Sequence, residues 1–249
     1  MAGNMDIDCA VKVPVLGRTV ASVAAVTRFL SPVTCSGSMH LQRQLMVERQ
    51  LKARGIFDER VLRAVSKVAR EDFVAPELRD HAYEDRPLSI GFSQTISQPY
   101  IVGSMLQAAR LRPEDHALEV GTGSGYQTAL LAEIVQSVVS IERHAELANI
   151  ARERLRRLEY ANVEVVVGDG TLGYSPRAPY DAVLVSAAAP YIPQPLVDQL
   201  AIGGRMVLPV GNRDLQDLIF LRKDEEGVRQ VRLDGCAFVP LIGEAGFPD

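Results

Sequence analysis

The sequence predicts an α/β protein, with a doubly wound, mostly parallel sheet of seven strands and a helical segment ahead of it. Two observations support this fold class. From residue 100 onward, short apolar runs alternate with helical stretches, as in parallel sheets that helices cover on both faces. One apolar run, at residues 117–120, passes into a glycine turn followed by a helix, an arrangement typical of sites for nucleotide-type ligands.

The first 38 residues differ in composition from the rest of the chain. They are rich in Ala, Val, Ser and Thr and show no sustained helical period. Arg18 and Arg28 interrupt their apolar stretch, which disfavours a membrane span, and the acidic start disfavours a secretory signal. We therefore expect residues 1–38 to be a flexible extension, or to precede a true start at Met39, and residues 39–249 to form the folded domain.

Residues 39–85 are predicted to be mainly helical. Asp58 is a plausible N-cap, because its carboxylate can accept the free N–H groups of a helix that begins at the next residue. The predicted elements are helices at residues 40–54 and 59–68, then a polar loop with short helical turns at residues 70–85.

The next segment, residues 87–99, is a long connection in which we predict no regular structure. Long loops of this kind are often functional. Pro99 suits the first turn of a helix that runs to about residue 110, because the N–H that proline lacks would be unpaired there anyway.

The core of the domain is predicted from residue 100 to the C-terminus. A turn at residues 224–227 separates the last two strands, which are expected to form an antiparallel pair. The seven predicted strands are residues 117–120, 138–142, 163–167, 182–185, 205–210, 217–222 and 228–239, and helices are expected at residues 126–135, 145–158 and 195–200.

Bulk composition limits the possible functions. The chain has 249 residues, of which 47% are hydrophobic and 23% charged, as in ordinary globular proteins. A net charge of −4 disfavours broad nucleic-acid binding, which needs a basic face. The three cysteines and four histidines are scattered, which predicts neither a disulfide framework nor a metal centre and fits a reducing compartment. We expect a cytoplasmic monomer with no nucleic-acid or membrane partner.

The glycine turn is the strongest indication of a ligand site. Gly121, Gly123 and Gly125 can take backbone angles closed to other residues and leave no side chain in the way of a ligand. The N–H groups at the start of the following helix would point into the same crevice. Glu142 ends the next apolar run, about 20 residues after the first glycine, where a carboxylate can bind ribose hydroxyls.

Two residues separate the possible ligands. A dinucleotide site usually has a third glycine where this chain has Tyr126. Glu119, two residues before the first glycine, would repel a pyrophosphate but would suit the sulfonium and ammonium groups of S-adenosylmethionine. Glu119 is also compatible with a solvated carboxylate at a strand end. The pattern favours an S-adenosylmethionine site.

Other polar residues follow the predicted strands. Asp169 is placed to bind an adenine amino group, although an aspartate between two glycines also suits a turn. Glu142 is likewise compatible with an acidic residue that precedes a helix. Asp181 is expected to begin its strand or to act as a capping residue. Residues 186–190 lack the Asp/Asn-Pro-Pro-aromatic run of many amine methyltransferases, which disfavours a nitrogen acceptor. Their small alanines would let an extended chain approach closely.

Residues 87–99, Pro-Leu-Ser-Ile-Gly-Phe-Ser-Gln-Thr-Ile-Ser-Gln-Pro, closely resemble the loop that protein-L-isoaspartate O-methyltransferases carry ahead of their glycine motif. The resemblance covers about residues 41–249, and the run at residues 94–99 is its most specific part. Ser93 replaces a usual glycine, which we expect to stiffen the loop or alter its movement as a lid, whereas Ala69 replaces a usual proline with little expected effect. The resemblance continues at residues 117–126, 167–170, 180–183, 187–190, 203–204, 209–211 and 238–246.

This resemblance implies transfer of a methyl group from S-adenosylmethionine to the free α-carboxylate of L-isoaspartyl residues in damaged proteins and peptides, which starts their repair through a succinimide. It implies the Rossmann-like methyltransferase fold, with residues 39–99 as the substrate-side segment and residues 100–249 as the core. It places the active-site residue at Ser97, which is also compatible with an N-cap. The family's cofactor contacts would fall on Thr95, Ile96, Glu119, Gly121, Thr122, Gly123, Gly125, Tyr126, Glu142, Arg143, Asp169 and Gly170.

Three alternatives remain open at this point. A methyltransferase acting on a small carboxylate or hydroxyl compound would share every cofactor residue. A nicotinamide-dependent oxidoreductase would have to tolerate Tyr126 and Glu119. A non-catalytic module that binds the cofactor or isoaspartyl protein is the third. Fold alone does not choose among them.

Overall fold

The computed structural model describes residues 35–249. The predictions for residues 1–34 lie outside the described residues, and the division of the chain at residue 39 stays a prediction. No helix of the described part is long and apolar enough to cross a membrane.

A seven-stranded sheet forms the centre of the protein, which confirms the predicted fold class. Its strand order is β5-β4-β3-β6-β7-β8-β9, and all neighbouring pairs are parallel except those that involve β8 and β9. The strands are β3 (His116–Val120), β4 (Ser137–Glu142), β5 (Val163–Val167), β6 (Tyr180–Val185), β7 (Leu200–Gly211), β8 (Gln216–Asp224) and β9 (Gly227–Cys236). The strand order reverses between β3 and β6, so a crevice for a ligand is expected at their carboxyl ends.

Helices pack on both faces of this sheet, as neighbouring residues of β3 illustrate. Ala117 belongs to one apolar core cluster and Leu118 to the other, because successive side chains of a strand point to opposite faces. Both faces of the strand are therefore buried, which explains why apolar residues point to both of them. The helices are α1 (Cys35–Met46), α2 (Glu59–Lys67), α3 (Pro99–Ala108), α4 (Tyr126–Ala132), α5 (Ala145–Arg157) and α6 (Gln194–Asp198).

The N-terminal helical segment differs from its prediction at its start and in its helix type, whereas its end at Arg54 is as predicted. α1 begins at Cys35 rather than at residue 40, and it continues as a π-helical turn, Val47–Leu51, and a 3₁₀ turn, Lys52–Arg54. The segment stops at Gly55, whose φ of 90° lies in the left-handed region that favours glycine. The predicted N-cap of α2 is present, since Asp58 Oδ1 accepts the backbone N–H of Arg60 at 2.9 Å.

The predicted absence of regular structure in residues 87–99 is wrong, because this segment contains a hairpin. Strands β1 (Leu88–Gly91) and β2 (Gln94–Ile96) form an antiparallel pair in which Leu88 faces Ile96, and both of these side chains are buried. The connection places Gly91, Phe92 and Ser93 at φ values of 88°, 52° and 56°. Strands of three or four residues are too short to show a clear alternating pattern.

A buried ion pair joins Arg205 of β7 to Asp115, which lies between α3 and β3. Arg205 and Asp115 are 7% and 2% exposed, and their side chains are in direct contact. The guanidinium group also donates to the carbonyl oxygens of Ala109 at 3.1 Å and Arg110 at 3.2 Å. Arg205 therefore satisfies carbonyl groups at the end of α3 that have no partner within the helix.

We predict that Asp115→Ala lowers the free energy of unfolding by about 3–5 kcal/mol, because it leaves a buried guanidinium without its counter-charge. Denaturant titration measures this change. Glu226→Ala, which removes an exposed partner of Arg229, is the control and should cost less than about 1 kcal/mol. Equal effects of the two substitutions would contradict the role of the buried pair.

Candidate active site

A cavity lies at the carboxyl ends of β3, β4 and β6, where the strand order reverses. The glycine turn, the second leg of the hairpin and residues 239–242 enclose it. The structure brings ten of the thirteen predicted site residues to its wall: Thr95, Ile96, Ser97, Gly121, Thr122, Gly123, Tyr126, Glu142, Arg143 and Gly170. The other three, Glu119, Gly125 and Asp169, do not line it.

A groove of about 630 Å³ adjoins this cavity. The groove runs between the start of α3 and the end of β9, and Arg54 and Tyr100 form part of its wall. Four residues line both the cavity and the groove, and we refer to them as the junction: Thr95, Ser97, Ser186 and Val239. A ligand in the cavity and one in the groove would meet at the junction.

Backbone hydrogen bonds hold the glycine turn against the end of β4. The N–H groups of Gly121 and Thr122 donate to the carbonyl oxygen of Ile141 at 2.8 and 3.3 Å. The φ values of Gly121, Gly123 and Gly125 are 93°, 51° and 86°, in the left-handed region, so the three glycines are needed for their backbone angles.

Gly125 lies on the side of the turn that faces α5, which is why it does not line the cavity. Its N–H donates to Thr122 O at 2.8 Å and closes the turn. A Cβ at this position would lie 3.4 Å from Ala151 and 3.5 Å from Leu155, so α5 packs directly against the glycine. Arg154 of the same helix donates to the carbonyl oxygen of Ser124 at 2.6 Å and holds the turn from the same side.

Glu142 faces the cavity from the end of β4. One of its carboxylate oxygens accepts the N–H of Gly123 at 2.8 Å, and the other accepts the N–H of His144 at 3.0 Å. Each oxygen keeps a free lone pair, so the carboxylate can still bind two neighbouring hydroxyl groups. Arg143, which also lines the cavity, forms an ion pair with Asp249 at 2.7 Å.

Glu119 lies beneath the turn rather than at the cavity wall, and it is fully buried. Its Oε2 accepts hydrogen bonds from the hydroxyl groups of Thr128 at 2.5 Å and Ser140 at 2.6 Å. Its Oε1 has no hydrogen-bond partner within the described residues. Burial raises the pKa of Glu119 to about 7, although these hydroxyl donors act to lower it. The alternative of a solvated strand-end carboxylate is therefore wrong.

Asp169 binds the C-terminal segment of the chain. Its Oδ1 accepts from the N–H of Thr171 at 2.9 Å, and its Oδ2 accepts from the N–H of Glu244 at 2.8 Å. A Cβ at Gly243 would lie 2.1 Å from this carboxylate, so the segment can approach only because that residue is glycine. Contact of Asp169 with an adenine amino group stays a prediction.

The alanine run after β6 is hydrogen-bonded to an extended segment of the protein itself, near its C-terminus. The N–H of Ala188 donates to Val239 O at 2.8 Å, and the N–H of Leu241 donates to Ala188 O at 2.7 Å. Ala188 and Ala189 are fully buried. These two alanines are therefore not open to the close approach of an extended substrate chain.

Ser97 follows the second strand of the hairpin and precedes α3. Gln98 rather than Ser97 occupies the N-cap position, so the Ser97 hydroxyl is not used as a cap. Asp85 precedes the hairpin and hydrogen-bonds residues that follow it. Its carboxylate accepts from the Gln98 side chain at 2.9 Å and from the Tyr100 N–H at 3.2 Å. Arg54 holds this carboxylate at 2.5 Å and stacks on the Tyr100 ring.

The hairpin lies over the glycine turn. A Cβ at Gly123 would be 3.3 Å from Ile90 Cδ1, and the Phe92 ring is 5.7 Å from the ring of His144. Ser93, with its φ of 56°, occupies the position where the resemblance places a glycine. A left-handed conformation costs a residue other than glycine about 1–2 kcal/mol, which gives a physical reason for the usual glycine.

Sequence reasoning missed several residues of the cavity wall. Ser186 follows β6 directly, and its position at a strand end could have indicated it. Ser124 lies in the glycine turn and Gln94 in the run at residues 94–99, so these patterns could have indicated both. The others are contributed by packing that no local pattern reveals, and they include Gln127, His144 and residues 239–242.

The fold and the cavity define a class: a doubly wound α/β protein with a site for a nucleoside-type ligand at the switch point, built like a Rossmann-like methyltransferase. The sequence profile of the protein-L-isoaspartate(D-aspartate) O-methyltransferase family matches residues 41–246. The chain belongs to this family.

Individual relatives agree with the profile. The protein-L-isoaspartate O-methyltransferase of Methanoculleus marisnigri is 57% identical over 206 residues, which cover 83% of this chain and 94% of that protein. The enzyme of the same name from Syntrophus aciditrophicus is 53% identical over 209 residues, which cover 83% of this chain and 96% of that protein.

Solved structures show the same fold. A protein-L-isoaspartate O-methyltransferase matches with a TM-score of 0.73 and 27% identity, over 82% of this chain and 67% of that chain. A putative member from Plasmodium falciparum, solved in complex with S-adenosyl-L-homocysteine, matches with a TM-score of 0.70 and 27% identity, over 81% of this chain and 98% of that chain.

The buried carboxyl group of Glu119 predicts a dependence of stability on pH. Its folded-state pKa of about 7 lies above the ordinary value of 4.5, so the folded protein retains a proton that the unfolded chain has released between these pH values. The contribution of Glu119 to stability therefore falls as the pH rises from about 4.5 to 7, by up to about 3 kcal/mol.

Glu119→Gln removes this titration. We expect the stability difference between the variant and the wild type to shift in favour of the variant as the pH rises through this range. Denaturant titrations at pH 5, 6, 7 and 8 without ligand measure the shift, with the exposed Glu153→Gln as the control. A pH-independent difference would show that Glu119 does not titrate there.

Proposed function

We propose that this protein transfers a methyl group from S-adenosylmethionine to the free α-carboxylate of L-isoaspartyl residues in damaged proteins and peptides, and so starts their repair through a succinimide. The observation that carries the proposal is the junction, where Ser97 lies between a nucleoside-type cavity and a groove open to a peptide. Membership of the protein-L-isoaspartate O-methyltransferase family supports it.

The residues of the cavity fit S-adenosylmethionine. Glu142 offers two carboxylate oxygens to the ribose hydroxyls, and Gly121 and Gly123 of the turn present no side chain to the cavity. Glu119, which is partly ionised at neutral pH and whose Oε1 has no hydrogen-bond partner among residues 35–249, adds negative charge beneath the turn, which favours a ligand with sulfonium and ammonium groups. The cofactor supplies a methyl group on a positively charged sulfur atom. Asp169 and Gly170 would lie at the adenine end.

The chemistry requires little from the protein beyond orientation. The acceptor carboxylate is already ionised at pH 7, so no general base is needed. Ser97 would donate one hydrogen bond to the carboxylate oxygen that does not attack, which leaves the attacking oxygen free and in line. The hairpin above the turn would exclude water from the site. A neutral hydroxyl suits this role, because a strong cationic partner on the attacking oxygen would weaken it as a nucleophile.

We also propose that the protein acts as a cytoplasmic monomer without nucleic-acid or membrane partners. The net charge of −4 supports the first exclusion, and the scattered cysteines, of which Cys236 is a free thiol, support a reducing compartment. Gel filtration with light scattering tests the oligomeric state.

Paired peptides test the function. We expect radiolabelled S-adenosylmethionine to methylate a peptide with L-isoaspartate at one position and not the same peptide with L-aspartate. Ser97→Ala should lower kcat/KM for the isoaspartyl peptide by at least about tenfold, because it removes a hydrogen bond to a charged group that orients the acceptor. Release of the label by mild base identifies a methyl ester.

Several outcomes would overturn this proposal. Equal labelling of both peptides would exclude recognition of isoaspartate. Binding of S-adenosylmethionine without labelling of either peptide would favour a small carboxylate as acceptor or a non-catalytic binding module. Tight binding of NAD instead of S-adenosylmethionine would favour an oxidoreductase.

A further inference from the structure

A second hydroxyl group, that of Ser186, lies at the junction. Its backbone N–H donates to the carbonyl oxygen of Val120 at 2.8 Å, which fixes the residue to the end of β3. Its Cβ is 3.5 Å from where a Cβ on Gly121 would be, so Ser186 packs beside the glycine turn. Ser97 follows the hairpin, whereas Ser186 follows the carboxyl end of β6, in the middle of the central sheet.

The side chain of Gln127 holds this hydroxyl in one orientation. Gln127 lies in α4, is 8% exposed and donates from Nε2 to Ser186 Oγ at 2.8 Å. A serine hydroxyl has one proton and two lone pairs. Because the amide group occupies a lone pair, the proton of Ser186 remains available for an acceptor at the junction.

We propose that Ser186 is a further catalytic residue, which donates its proton as a hydrogen bond to the acceptor carboxylate, and that Gln127 is the positioning residue that directs it. This inference rests on the proposed function, because it requires a carboxylate at the junction. Ser186 and Ser97 would bind the same, non-attacking oxygen from two different elements of the fold. Two donors fix the plane of the carboxylate, whereas one donor leaves it free to rotate.

The step balances without a proton transfer. The attacking carboxylate oxygen forms a bond to the methyl carbon, and the bond between that carbon and the sulfonium sulfur breaks with its electron pair left on sulfur. The products are a methyl ester and S-adenosylhomocysteine. The carboxylate loses its negative charge in this step, so a hydrogen bond to it is stronger before the transition state than in it. Loss of the donor should therefore raise KM for the peptide more than it lowers kcat.

Steady-state kinetics with the isoaspartyl peptide test the inference on the full chain. Ser186→Ala should raise KM for the peptide about tenfold, the effect of one hydrogen bond to a charged group. Its Kd for S-adenosylmethionine, measured by calorimetry, should stay within about twofold of the wild-type value. Ser186→Thr keeps the hydroxyl and should recover most of the loss. Ser175→Ala, at an exposed serine outside both the cavity and the groove, is the matched control.

Gln127→Met separates positioning from direct contact. It keeps the size of the side chain and removes the donor, and we expect it to raise KM for the peptide about threefold. In the Ser186→Ala background the same substitution should have no further effect, because Gln127 acts through the hydroxyl.

The results also separate this inference from the proposed function. A wild-type KM for the peptide in Ser186→Ala would overturn the inference and leave the function intact. A matching loss of affinity for S-adenosylmethionine would assign Ser186 to the cofactor cavity and would also overturn it. If the wild type itself fails to methylate the isoaspartyl peptide, the proposed function fails, and the inference fails with it.

Discussion

The site depends on the hydrogen bonds that join the glycine turn to the end of β4. Two successive N–H groups of the turn share the carbonyl oxygen of Ile141, and the N–H of Gly123 reaches the carboxylate of Glu142. These contacts require the turn to pass within hydrogen-bond distance of the neighbouring strand, which the left-handed angles of the glycines allow. The same contacts fix Glu142, so one set of hydrogen bonds both shapes the cavity and orients the Glu142 carboxylate at its wall.

The rest of the site is assembled on this base. The hairpin rests on the turn through Ile90, whose Cδ1 would be only 3.3 Å from a Cβ at Gly123. Asp85 hydrogen-bonds Gln98 and Tyr100, which follow Ser97 in the chain. These bonds fix the position of Ser97 between the hairpin and the start of α3. The C-terminal segment closes the opposite side through hydrogen bonds to Ala188 and Asp169.

Sequence reasoning succeeded where a single local pattern determines the structure. The parallel strands, the glycine turn and the N-cap at Asp58 each follow from residues adjacent in the chain. It did not predict the contacts between distant segments. Asp169 and the alanine run both bind the C-terminal segment, more than 50 residues later in the chain. The strands of the hairpin were missed because pairing of Leu88 with Ile96 and burial against the domain, rather than a long alternating pattern, define them.

Carboxylates at the site would repel a negatively charged methyl acceptor unless their charge is reduced or compensated. A negatively charged acceptor must approach a cavity that Glu142 lines and beneath whose glycine turn Glu119 is buried, and two carboxylates would repel a third. The pKa of Glu119 is raised to about 7 by burial, so at neutral pH this group is ionised only part of the time. Glu142 accepts two backbone N–H groups, which offset part of its charge. A positively charged ligand would compensate the remainder, so the cavity becomes suited to an anionic acceptor only when that ligand is bound. Binding of the cation before the carboxylate is the order that these charges favour.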